Sequence, residues 1–363
     1  MPTITSYTSI QSGTVDPPTN TKRLVWMDIL NLVAILGVVT IHTTGYMAAL
    51  SLTDTENWWA ATIANCAGRI GVPLFLMCSG AILLTERQIP SASAFYRRRL
   101  PKLLIPLLGW SIIFYLVYSR LSTDFAYGWW SWARHVTEGT LVPHFWYSYM
   151  LVQVYLAAPF LLALRHQLGE TGMWLLVALC FGLNALNPYC LIAEFQFHFG
   201  YAIFTVYVGY FILGTLLVRQ EVRLPNWLLA GVAVTGISMA VWGSWWLNHI
   251  KAPDTSLFQR YEALHLLAAS SAVFLLARRL GPRLPSRLGS WLTRLTANTY
   301  GVYFCHVLVC DLLARQRLST YILAEAWHNP WTGILASTAL VYGLSLLLVL
   351  LIQRVPLLRR LVL

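Results

Sequence analysis

Charged side chains are scarce in this chain: they make up 11 % of its 363 residues, against about 25 % in a soluble domain. With 57 % hydrophobic residues and a mean hydropathy of +0.60, this excludes an ordinary soluble globular fold. Cysteine is sparse as well. The six thiols, Cys66, Cys78, Cys180, Cys190, Cys305 and Cys310, fall within or at the edges of hydrophobic stretches and never in a C-x-x-C spacing. Neither a disulfide framework nor a zinc site is implied. There is no Walker motif, dinucleotide fingerprint, G-x-S-x-G or H-E-x-x-H, so nucleotide, esterase-type and metalloprotease chemistry have no footing. No loop exceeds about 25 residues, which leaves no room for an inserted soluble domain.

What is present is length of apolar chain. Hydrophobic stretches cover about 27–50, 58–84, 103–121, 145–164, 173–192, 200–218, 226–247, 262–280, 299–314 and 331–353. A bilayer crossing takes about 20 residues, so the expected fold is an all-α polytopic helical bundle of about ten transmembrane helices. The net charge of +11 follows membrane topology rather than nucleic acid. With both termini in the cytoplasm, 18 of the 25 Lys and Arg residues fall inside. Six fall outside (Arg120, Arg134, Lys251, Arg260, Arg315 and Arg317), and Arg69 lies within a stretch. That bias is the positive-inside rule. Residues 1–21 are polar and rich in Thr, Ser and Pro, and read as a disordered cytoplasmic tail ahead of one transmembrane domain, 22–363. The first stretch is too long for a cleaved signal peptide and reads as an uncleaved anchor.

Four constellations carry possible chemistry. The first is His42, fifteen residues after Met27 and hence roughly 22 Å into the membrane. Ionisable groups there mark function by default. Asn31 lies about three helical turns earlier on the same stripe, and Asp28 within about 40° of it. His42 reads as a general base or proton relay, or, more plainly, as a core histidine bonded to a neighbouring helix. The second is Arg69, about 16 Å from the outer surface and followed by Gly71, Pro73, Ser79 and Gly80. It reads as a buried cross-helix pair or as an anion contact.

The third is Arg97, Arg98, Arg99 and Lys102 before the third stretch, a topology signal that also suits phosphates. The fourth is aromatic: Trp129, Trp130 and Trp132, then His144, Trp146, Tyr147 and Tyr149. It suits an interfacial belt or a platform for sugar rings. His306 and Glu262 read as structural.

Taken in order, several segments resemble the acyltransferase 3 family of bacterial membrane acyltransferases, from about residue 24 to 353. They are Met27-Asp28-Ile29-Leu30-Asn31 with Ile41-His42-Thr43-Thr44, and Arg69 through Pro73 to Ser79-Gly80. Then come Phe95-Tyr96-Arg97-Arg98-Arg99 to Lys102 and Pro106, and Pro143-His144-Phe145-Trp146-Tyr147-Ser148-Tyr149-Met150. The last are Val208 to Gly214 and Thr299-Tyr300-Gly301-Val302-Tyr303-Phe304-Cys305-His306. Within the family the resemblance is closest to stand-alone surface-polysaccharide O-acetyltransferases, such as that of enterobacterial common antigen. Two positions depart from the family pattern. Its arginine eleven residues before the histidine is here Asn31, and its R-x-x-R is here Arg99-Leu100-Pro101-Lys102, which keeps the charge and loses the bidentate fork.

The resemblance implies a multi-pass protein of the bacterial cytoplasmic membrane with no bound cofactor or metal. Its co-substrate would be cytoplasmic acyl-CoA, acetyl-CoA in the first instance, and its acceptor a polysaccharide or lipid-linked saccharide at the outer face. On that reading His42, with Asp28 and Asn31, is the catalytic set, with an acyl-histidine as a variant. Arg69, Arg97, Arg98, Arg99 and Lys102 bind the acyl-CoA, and His144, Trp146 and Tyr149 face the acceptor. The rivals are a transporter or flippase of lipid-linked sugars or a small solute, and a non-catalytic subunit of a polysaccharide assembly complex. The bilayer is the partner in every case, and nucleic acid in none.

Overall fold

The computed structural model describes residues 25–50, 53, 55–85, 91–121, 128–186, 190, 205–252, 254–316 and 328–362. The expected tail, 1–21, lies outside them. Among the described residues the fold is all-helical, with no strand.

The first helix, α1 (Val25–Leu50), is central. Asp28 in its first turn complements the positive end of the helix dipole. It is followed by α2 (Glu56–Gly68) and α3 (Gly71–Leu83). One hydrophobic stretch is expected there, and the structure interrupts it at Arg69–Ile70. Pro73 has no N–H to give to the Arg69 carbonyl four residues back, so the helix resets where the arginine sits. Then come α4 (Ala92–Arg99), α5 (Pro101–Leu121), the short helix α6 (Trp129–Glu138) and α7 (Trp146–Asn184). The second half holds α8 (Val206–Arg219), α9 (Asn226–His249), α10 (Leu264–Leu280), α11 (Ser286–Thr296), α12 (Thr299–Arg315) and α13 (Pro330–Gln353). Helix α1 packs against α2, α3, α10, α11, α12 and α13.

Among the described residues, seven segments are long and apolar enough to cross a membrane: Val25–Gly45, Glu56–Leu83, Ala92–Arg120, Pro143–Gly182, Asn226–His249, Leu257–Arg283 and Pro330–Gln353. The expected stretches 145–164 and 173–192 fall together on the fourth. Its 40 residues would extend about 60 Å, twice a hydrocarbon core of about 30 Å. Gly169 divides it, with φ 65° and ψ −166°, a backbone open to glycine. The expected stretches 200–218 and 299–314 correspond to the shorter helices α8 and α12, of 14 and 17 residues.

In lipid, helices associate by close packing of small residues rather than by the hydrophobic effect. Helices α3 and α8 illustrate this: a Cβ added at Gly214 would overlap the Met77 carbonyl, and one at Gly80 the Phe211 carbonyl. Thr215 Oγ1 also donates to the Gly80 carbonyl at 2.7 Å. Gly214→Val is therefore expected to force these helices apart. The measurement is the melting temperature and monodispersity of the detergent-solubilised protein. A drop of at least about 5 °C or loss of the monodisperse peak is expected; an unchanged melting temperature counts against the contact.

Candidate active site

Helices α1 and α2–α3 meet without intervening side chains. A Cβ on Gly68 would lie 2.6 Å from the Gly37 carbonyl, and one on Gly71 2.6 Å from the Ala34 carbonyl. These two approaches bracket Arg69 and draw it onto the α1 turn that leads to His42.

Arg69 is then held from two sides. Its Nε donates to Asn65 Oδ1 at 3.2 Å, and its Nη2 to Gln259 Oε1 at 2.9 Å. Asn65 in turn donates through Nδ2 to the Ile41 carbonyl at 3.2 Å, tying the arginine network to the residue before His42. Gln259 Nε2 donates to Ser244 Oγ at 2.9 Å. Gln259 belongs to a 3₁₀ turn, Leu257–Gln259, between α9 and α10. That loop is braced by Asp254, which accepts from Ser256 N at 2.8 Å and from Arg260 Nη2 at 2.8 Å. Burial pushes the Asp254 carboxyl up, but the Ser256 and Arg260 contacts outweigh it and hold the group below its ordinary range.

His42 and Arg69 line one cavity of about 310 Å³. Val38, Ile41, Val72 and Phe75 form its apolar part, and His144, Trp146, Tyr147, Tyr207, Tyr261 and Tyr303 the rest. Trp146, Tyr207 and Tyr261 make an aromatic wall, with ring centroids 5.6, 5.8 and 6.1 Å apart. His144 arrives on the 3₁₀ turn Pro143–Phe145 that starts α7. Its ring centroid lies 5.9 Å from that of His42. Tyr303 on α12 donates its hydroxyl to the His144 carbonyl at 2.7 Å, fixing this turn. His306, one turn further along α12, has its ring 5.0 Å from those of both His42 and His144. Among the described residues no group of three or more His, Cys, Asp or Glu side chains is arranged to hold a metal ion.

The expected site residues thus separate. His42, Arg69, His144 and Trp146 share the cavity. Tyr149 is not among its lining residues; its hydroxyl donates to the Val136 carbonyl at 2.8 Å and braces α6. Asp28 is fully buried at the other end of α1. It accepts from Thr293 Oγ1 at 2.6 Å and Thr296 Oγ1 at 2.8 Å, which fastens α11 to α1. Asn31 is half-buried and outside the cavity lining. Arg97, Arg98 and Lys102 are exposed on α4 and α5, while Arg99 is half-buried and within electrostatic reach of Tyr155. Tyr155 lies near Tyr147 and Tyr300, whose rings approach Tyr303 at 5.3 and 6.1 Å.

The acyltransferase domain family model matches residues 24–350. The chain belongs to the acyltransferase 3 family. No curated protein and no solved structure gives a significant match. Membership makes this a membrane acyltransferase, and the match covers every element that builds the cavity. The site also holds residues that no motif marks: Gln259 and Asn65, which bond Arg69, and Tyr207 and Tyr261 in the cavity wall. Gln259 and Tyr261 lie in the connection between α9 and α10, where a lone glutamine or tyrosine carries no periodic signal. His306 did carry one, as an ionisable residue within an apolar helix.

Proposed function

We propose that this acyltransferase moves an acyl group, acetyl in the first instance, from cytoplasmic acyl-CoA to a hydroxyl of a surface polysaccharide or its lipid-linked precursor. The reaction occurs near the outer face of the bacterial cytoplasmic membrane, in a bundle of ten crossings with both termini inside. The observation that carries this reading is the single cavity in which His42 and Arg69 meet an aromatic wall. Its volume, about 310 Å³, is at the lower end for ligand pockets, about 300–1,000 Å³. It suits an acyl thioester and one sugar ring, and leaves the nucleotide end of coenzyme A outside. That end carries phosphates, and Arg97, Arg98, Arg99 and Lys102 supply the cations they need.

The chemistry follows from the positions. His42 takes the proton of the acceptor hydroxyl as its oxygen attacks the thioester carbonyl. The charge that develops on the carbonyl oxygen is stabilised by Arg69, already aimed by Asn65 and Gln259 and so reorganising little during reaction. Collapse breaks the C–S bond, and the thiolate recovers the proton from His42. Trp146, Tyr207 and Tyr261 stack against the apolar face of the sugar.

The donor half is tested by kinetics. The triple variant Arg97→Ala, Arg98→Ala, Lys102→Ala is expected to raise KM for acetyl-CoA at least about 10-fold, since each charge-assisted contact contributes about 1.5–3 kcal/mol. Its kcat and melting temperature are expected to change little. An unchanged KM removes the cluster from the donor site.

A further inference from the structure

His42 has one face on the cavity, and behind it stands a second histidine to which the acyl-transfer reading gives no role. His306 is completely buried and is not part of the cavity lining. Its Nδ1 lies 2.7 Å from the Tyr303 carbonyl and 3.3 Å from that of Val302. Carbonyl oxygens only accept, so Nδ1 carries the hydrogen and a neutral ring presents a lone pair at Nε2. That atom is buried and has no hydrogen-bond partner among the described residues. An acceptor in this state is costly to bury, and the His42 ring is 5.0 Å away, centre to centre, with its plane tilted by 59°.

We propose that His306 is the positioning residue of His42: its Nε2 accepts an N–H of His42 and turns the other nitrogen, as a lone pair, toward the acceptor hydroxyl. A general base needs a group that holds it in the right tautomer. Asp28 is about 21 Å along the helix from His42 and fastens α11, so it does not serve. Carbonyls on α12 lock the tautomer of His306, and His306 selects that of His42. Rotation about χ2 of His42, a soft torsion, brings its N–H toward His306 Nε2, and the bond forms without substrate. The competing ring is His144, also 5.0 Å from His306.

The test uses the full chain in lipid with ¹⁵N-labelled histidine. In the wild type, solid-state NMR is expected to detect a nitrogen–nitrogen coupling across a hydrogen bond between His42 and His306 Nε2, with His42 in one tautomer. His306→Phe is expected to give mixed His42 tautomers, and His306→Gln, whose carbonyl still accepts, to restore one. In turnover, His306→Phe should lower kcat about 10²-fold with KM for acetyl-CoA unchanged, and His306→Gln should recover at least a tenth of the wild-type rate. Absence of the coupling in the wild type, a coupling to His144 instead, or a single unchanged His42 tautomer in His306→Phe each overturns the proposal. The kinetic arm rests on the acyl-transfer reading and the spectroscopic arm does not. A wild type that shows the coupling yet turns over no thioester would therefore defeat that reading and leave the histidine pair standing. The wild-type coupling also decides the matter if His306→Phe does not fold.

Discussion

His42→Ala is expected to lower acyl transfer by at least about 10³-fold while the protein inserts and folds normally. General-base catalysis contributes about 10²–10⁴-fold, and His42 lines the cavity together with Arg69. Folding should survive because His42 is half-buried at a cavity wall, and alanine is the best helix former. The readouts are transfer of labelled acetyl to acceptor and the melting temperature in detergent. A folded variant with activity within about threefold of wild type would exclude His42 as the base.

The second large effect is expected at Arg69. Removing a donor aimed at a developing oxyanion costs about 10²–10³-fold in kcat, and Arg69→Ala should show a loss of that size with KM for acetyl-CoA little changed. A loss confined to kcat marks an interaction made in the transition state. Arg69→Lys should recover little, because the present side chain bonds Asn65 and Gln259 at once through its planar fork, which an ammonium cannot reproduce. Arg69→Ala takes the arginine donors away from Asn65 Oδ1 and Gln259 Oε1, so some loss of thermal stability accompanies the kinetic one. Gln259→Leu separates the two roles: it keeps the charge and loses the aim, and its kcat should fall between wild type and Arg69→Ala. A Gln259→Leu variant with wild-type kcat would mean that the aim of Arg69 does not matter.

The residues that could be read from sequence are those whose signal is local. His42 and Arg69 stand out because a lone ionisable group in an apolar helix is expensive wherever the helix packs. The helical bundle is legible for the same reason, through the length of each apolar run. Gly169 was harder. The polar run from Arg165 to Glu170 looks like a plain loop, yet helix continues on both sides of one residue with a positive φ. Asp28 shows a different limit. Its distance along α1 from His42 was plain, but its partners Thr293 and Thr296 lie more than 260 residues away in the chain. No pattern near Asp28 announces them. The gathering of His42, His144 and His306 is likewise tertiary. It needs α1, the turn before α7 and α12 to converge, and α12 is held there by the Tyr303 hydroxyl on the His144 carbonyl. Tyr149, two residues after the cavity residue Tyr147, bonds the Val136 carbonyl and braces α6 instead.

The central claim is that acyl-CoA is consumed in this membrane domain and its acyl group leaves at the other face. The most direct measurement reconstitutes the purified wild type in vesicles with acetyl-labelled acetyl-CoA on the cytoplasmic side and a polysaccharide acceptor on the opposite side. The expected result is saturable release of coenzyme A thiol, with label appearing on the acceptor across the bilayer. Well-folded protein that neither binds acetyl-CoA nor cleaves its thioester would contradict the claim.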